Sequence, residues 1–248
     1  MSDLMEFGFG KDDKKVTTKV SRYKGEAGNT DRISFVWWET DDDGNVILGT
    51  EEDPGTPKFV GTRRFYVQGV GYFRDKGPEY AKLAGGARSK LQIATIIAVW
   101  PTDKDGQLRR RGGKLDSEVL KDVEIVPWVF SADKYDALKR RHHEWPVSFH
   151  DITLACTDSQ YQKMDISTCK ENLFSKFVAA DSVLAKEITS KIQAAVEDLS
   201  GQMGDIIARD LTLDQIREKM GLSTSSDLGG SVGSDAEVDG MLDDLLDD

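Results

Sequence analysis

Apolar and polar positions alternate with a period near two through the first two thirds of the chain and shift to a helical period after residue 172. Val16–Tyr23 and Arg32–Glu39 read as strands, the second rich in β-branched and aromatic residues. Trp37 and Trp38 are neighbours, so a strand turns them to opposite sides of a sheet, one of them into the core. The acidic turn from Asp41 to Asn45 predicts a hairpin that returns through Val46, Ile47 and Leu48. Lys58–Phe73 predicts one strand bent at Gly69 and Gly71, where absent side chains permit a bulge or a barrel corner. Pro78–Leu83 predicts a single helical turn closed by Gly85 and Gly86. Ser89–Trp100 is the clearest strand, and its run of Ile93, Ile96, Ile97 and Val99 implies burial on both faces. Val123–Phe130 is a further strand, followed by a helix over Lys134–Trp145 with Ser131 as its cap. Phe149–Ala155 and Tyr161–Ser167 flank a polar turn and predict a closing hairpin.

From Leu173 the apolar positions Val178, Val183, Leu184, Ile188, Ile192, Val196 and Leu199 define one amphipathic helix of several turns. Gly201 breaks it, and Ile206–Met220 predicts a further helical pair with Thr212 as a cap. Four regions follow: a flexible N-terminal arm over 1–15, a strand-rich domain over 16–172, a helical region over 173–222 and a disordered acidic tail over 223–248. The fold class expected is mainly β with appended helices. A long strand, a bent strand, a central strand, a helix and a closing hairpin follow the order that an OB-fold-like Greek-key barrel needs.

Charge changes the picture only once its distribution is seen. The 248 residues carry a net charge of −11, but Asp227, Asp235, Glu237, Asp239, Asp243, Asp244, Asp247 and Asp248 all fall after residue 222, where no Lys or Arg occurs. Subtracting those eight from −11 leaves −3 for everything before. Basic residues outnumber acidic ones between Lys58 and Trp145, so a mildly basic middle is tied to a strongly acidic end. No apolar run reaches the length of a membrane span, and the start has no apolar segment behind a basic lead; a cytoplasmic location is expected. Two cysteines fit a reducing compartment.

Catalysis finds little support in the sequence: there is no GxxxxGK[ST] phosphate loop and no HExxH. Cys156, Cys169, His142, His143 and His150 show no zinc-ligand spacing, so neither metal nor cofactor is expected. What the sequence does concentrate, between Lys58 and Trp100, is cations interleaved with aromatics. That combination suits a strand of nucleic acid with unpaired bases, because cations follow the phosphates while ring faces accept stacked bases. The stacking candidates are Tyr66, Tyr72, Phe73, Trp100 and Tyr161; the phosphate candidates are Arg63, Arg64, Arg74, Arg88, Lys90, Arg109, Arg110 and Arg111. The competing reading is an ordinary half-buried sheet whose aromatics are core and whose charges are solvated.

The segment from Val126 to Ser167, behind the KLQIATIIAVW strand and ahead of a helical region and an acidic end, resembles tailed-phage single-stranded DNA-binding proteins of the helix-destabilising type. The likeness is strongest at the hairpin turn Thr157, Asp158, Ser159, Gln160, Tyr161, Gln162 and Lys163, and spans about Val16 to Ser167. It implies an oligonucleotide-binding barrel that coats unpaired DNA during replication, recombination and repair, placed in the host cytoplasm, with possible self-association on DNA. It also implies that the tail, with Asp243, Asp244, Leu245, Leu246, Asp247 and Asp248 as its partner-binding end, competes with DNA and recruits replication or recombination enzymes. A tethered polyanion does occupy a cationic groove until a longer one displaces it. The alternative is a protein-interaction adaptor, a transcription or recombination accessory acting through the helical region and the tail.

Overall fold

The computed structural model describes residues 20–111, 114–115, 118–158 and 163–222. The expected arm, the tail, Tyr161 and the Arg111 side chain lie outside the described residues. In chain order the elements are β1 (Thr30–Phe35), β2 (Val60–Val67), β3 (Gly71–Arg74), α1 (Pro78–Leu83), β4 (Lys90–Trp100), the two-residue strands β5 (Arg110–Arg111) and β6 (Lys114–Leu115), a 3-10 turn (Val119–Asp122), β7 (Glu124–Ser131), α2 (Ala132–Glu144), β8 (Ile152–Cys156), β9 (Met164–Thr168), α3 (Leu173–Ala179), α4 (Val183–Ser200), α5 (Met203–Ile207) and α6 (Leu213–Met220). The protein is mainly an antiparallel sheet of seven strands with appended helices.

β4 is the strand everything else pairs around, as its apolar run requires: Ile93 through Ala98 are all buried. Its one edge carries β7 from Gln92 to Val99. Its other edge is divided, with Lys90–Ala94 opposite β2 and Ile97–Trp100 opposite β1. β3 extends the sheet beyond β2, and β8 and β9 extend it beyond β1. Among the described residues no ladder joins β3 or β9 back to β7, so the sheet is open.

The two faces are closed by different helices. Phe35 and Ile97 are in register, and on their side Phe59 meets Phe35, Phe130 and Tyr135 of α2 edge to face. Trp100, three residues on, faces the other way and packs on Phe177 of α3. α4 and α5 supply Ile188, Ile192, Leu199, Met203, Ile206 and Ile207 to the same core as β1 and β4, so the helical region is part of the sheet's hydrophobic core.

One buried ion pair ties β1 to the start of α3. Asp151, with no side-chain exposure, accepts from Arg32 Nε at 2.8 Å and from the Leu173 amide at 3.1 Å, and also from the Ser34 hydroxyl. Ser34 in turn accepts from Trp100 Nε1 at 2.7 Å, and Arg32 also donates to the Glu171 carbonyl at 3.2 Å. Burial pushes the Asp151 carboxyl up to about 6, against the pull of Arg32 and the hydrogen bonds.

Several expectations need correction. Residues 20–23 of the expected Val16–Tyr23 strand form no ladder; Tyr23 donates its amide to Pro127 and its hydroxyl to Asp31 at 2.7 Å. Lys58–Phe73 is a hairpin, β2 and β3, and not one bent strand. The long helix from Leu173 is two helices, because Ser182 accepts from the Ala185 amide and starts α4 afresh. Ser131 occupies the cap position of α2 but makes no side-chain capping bond. Trp38 is the buried member of the tryptophan pair, its indole donating to the Phe35 carbonyl at 2.8 Å.

Candidate nucleic-acid interface

The β2–β3 hairpin brings most of the sequence candidates together at the Lys90 end of β4. Gly69 and Gly71 reverse the chain at φ of 80° and 87°, a region that disfavours other residues. The register sets Arg64 opposite Arg74, Phe65 opposite Phe73 and Tyr66 opposite Tyr72. Strand alternation then sorts these pairs by face. Phe65 and Phe73 point to one side and form a second small core with Val70 and Ile216 of α6. Arg64, Tyr66, Tyr72 and Arg74 share the other side.

That second side is an exposed aromatic pair framed by guanidinium groups. Tyr66 is 60% exposed and Tyr72 40%, with ring centroids 5.0 Å apart and planes tilted by 53°. The Arg64 guanidinium sits 3.7 Å above the Tyr72 ring, a cation–π contact. It is held there by donation to the Ile207 carbonyl at 2.8 Å and to Gln92 Oε1 at 3.2 Å. Burial lowers the pKa of Arg64, the Tyr72 ring acts in the opposite sense, and the like charge of Arg22 adds to the lowering. Burial likewise lowers Arg22, against the influence of Tyr72. Both start so far above neutrality that they remain cations.

Beyond this pair Arg74 and Lys76 are already engaged. Arg74 donates to Asp205 at 2.9 Å, to the Ala208 carbonyl at 3.3 Å and to Asp210 at 3.4 Å. Lys76 pairs with Asp210 and donates to the Leu211 carbonyl at 3.4 Å; its bond to Asp210 raises the lysine pKa and lowers that of the aspartate. On the phenylalanine side lies an open groove of about 550 Å³, walled by Arg63, Arg88, Ser89 and Pro78 with Phe65 at its floor. Arg63 reaches across toward the Ser89 carbonyl at 3.5 Å, and Arg88 and Lys90 are exposed beside it.

Other candidates are placed elsewhere. Trp100 and Phe73 are 1% and 0% exposed, so neither offers a ring face to a base; Trp100 has also committed its indole N–H to Ser34. Arg109 and Arg110 are exposed near the far end of β4, past the Thr102–Leu108 bridge. Arg109 donates to the Thr102 carbonyl at 3.3 Å. Sequence reasoning missed Arg22, whose surroundings carry no pattern, and Arg209, whose guanidinium lies 3.1 Å from where a Cβ on Gly71 would stand. Among the described residues no three His, Cys, Asp or Glu side chains gather as a metal site, and no helix is long and apolar enough to cross a membrane. Compared with protein-family models, curated proteins and solved structures, the chain finds no match.

Proposed function

We propose that this chain binds single-stranded DNA largely without reading its sequence, coating and protecting it during phage DNA replication, recombination and repair. The observation that carries the reading is the solvent-facing Tyr66–Tyr72 pair with Arg64 stacked on it and Arg22 close by. Two tilted rings on adjacent strands accept any base by its π face, and fixed guanidinium groups beside them meet the phosphates. The Arg63–Arg88 groove and Lys90 extend the cationic surface around the same hairpin. We take the sheet as a derivative of an OB-fold-like Greek-key barrel; support comes from β4, which serves two partner strands in succession on one edge. The acidic tail belongs to the same proposal on its charge alone, as competitor for the cations and as a recruiting segment for partner enzymes. The adaptor reading draws less support, because the apolar faces of α4 and α5 are spent on the sheet.

Fluorescence anisotropy of a dye-labelled oligo-dT, titrated with the full chain across a salt series, tests the proposal. Tryptophan quenching is a poor reporter here, since Trp38, Trp100 and Trp128 are buried and the exposed Trp145 sits at the end of α2 rather than on the β2–β3 hairpin. Binding that weakens with salt and drops on replacing Tyr66 and Tyr72 by Ala is the expected result. A chain with no salt-dependent affinity for the oligonucleotide overturns the reading.

A further inference from the structure

Residues 203–222 straddle the hairpin. On the tyrosine side, α5 presents the Ile207 carbonyl to Arg64 and Asp205 to Arg74. Residues 208–210 run parallel to β3 along its open edge, with Arg74 N donating to the Arg209 carbonyl at 3.1 Å and Arg209 N to the Tyr72 carbonyl at 3.2 Å. On the phenylalanine side, α6 seats Ile216, fully buried, against Phe65 and Phe73.

Two kinds of attachment are visible, and they differ in how easily they yield. The backbone and apolar contacts are buried: Ile206, Ile207, Ala208 and Ile216 are all under a tenth exposed. The carboxylates are not. Asp205 and Asp210 side chains are 69% and 48% exposed, and the Arg74 and Lys76 side chains they hold are 30% and 37% exposed. Ion pairs that exposed are weak and are easily exchanged for another anion.

We propose that Asp205 and Asp210 are placeholders for phosphate: in the free chain they hold Arg74 beside the tyrosine pair and Lys76 at the same edge of the hairpin, 5.8 Å over the Tyr80 ring, and they release both to a bound strand. Lys76 thereby becomes a phosphate ligand of the interface, and the clip's backbone stays in place while its carboxylates give way. This rests on the reading of the hairpin as a single-strand interface. The exchange has a thermodynamic signature. Carboxylates that lose their partners take up cations from solution, so fewer ions are released overall and the salt dependence is shallower than the phosphate contacts alone would give.

The test uses the full chain and labelled oligo-dT. With both placeholders neutralised (Asp205→Asn, Asp210→Asn), binding should tighten at least about 3-fold, the lower end of what three exposed pairs span, and the salt slope should steepen. Adding Arg74→Ala and Lys76→Ala to that variant should remove the gain. A charge-matched control, Asp105→Asn with Asp165→Asn, lies on the far turn and the opposite edge strand and should bind as wild type does. A single cooperative urea transition at unchanged m-value verifies that the fold is kept, and each single Asn variant should show part of the effect. If the double variant binds no tighter than the control, the placeholder role is overturned while the stacking interface stands. If the wild type shows no salt-dependent binding, both fall.

Discussion

Replacing Asp151 by Ala removes the one carboxylate on which a buried guanidinium, a hydroxyl and a helix-starting amide all converge. Arg32, with its side chain 11% exposed, would keep only the Glu171 carbonyl at 3.2 Å and the Glu171 carboxylate at 3.9 Å. Breaking a buried pair costs about 3–5 kcal/mol, and an orphaned buried amide such as that of Leu173 costs about 1–3 kcal/mol. The fallback to Glu171 offsets part of this, so we expect a loss of about 4 kcal/mol. For a chain of this size that is roughly 10 °C in Tm. Urea unfolding followed by tryptophan emission measures it directly, because Trp38, Trp100 and Trp128 are buried and Trp100 is joined to Asp151 through Ser34. A loss below about 1 kcal/mol at unchanged m-value would refute the claim that this network ties β1 to α3.

The same carboxyl gives the stability a definite pH slope. Its pKa is about 6 in the folded chain against a usual 3.8, so between those values the folded state binds more protons and stability falls as pH rises. Relative to Asp151→Asn, the wild type should lose about 3 kcal/mol between roughly pH 4 and pH 6 and stay level above, as denaturation at stepped pH will read. Tyr66→Ala and Tyr72→Ala should each weaken oligo-dT binding by about 1–3 kcal/mol, whereas Trp100→Phe should leave affinity untouched in anisotropy titrations. Arg63→Ala and Arg88→Ala should each lower the salt slope by about 0.7, read from log–log plots of affinity against salt. Ile216→Ala should cost about 2–5 kcal/mol in urea unfolding, since the second core has few other members.

The sequence announced β4 because a continuous apolar run has one comfortable place, the middle of a sheet covered on both faces. It concealed the hairpin for an equally physical reason. Val70, between the two glycines, is apolar and 2% exposed, so the alternating pattern runs on through what is a turn; the second core around Ile216, distant in sequence, explains why a turn tip is buried. Trp100 misled for the opposite reason: it closes the stretch of interleaved cations and aromatics in sequence, but in space Ser34 and Phe177 enclose it. Two turns share one legible code. Thr40-Asp41-Asp42-Asp43-Gly44-Asn45 and Thr102-Asp103-Lys104-Asp105-Gly106-Gln107 fold alike, the first Asp carboxylate of each accepting two downstream amides. The tyrosine pair was recognisable as chemistry, while its flanking Arg22 and the Asp205 and Asp210 counter-charges depend on contacts that no local pattern encodes.

The straddling of the hairpin by residues 203–222 has a consequence for the life of the chain on the ribosome. Arg74 and Ala208 meet across 134 residues of sequence, so the hairpin emerges long before the segment that completes it. Until then Phe65 and Phe73 lack their cover and β3 keeps a bare edge, the kind of surface that invites association between nascent chains. Only when the last described helix leaves the exit tunnel can the tyrosine platform acquire its final shape, so truncated translation products should be sticky and poor at binding, and a finished chain should be neither.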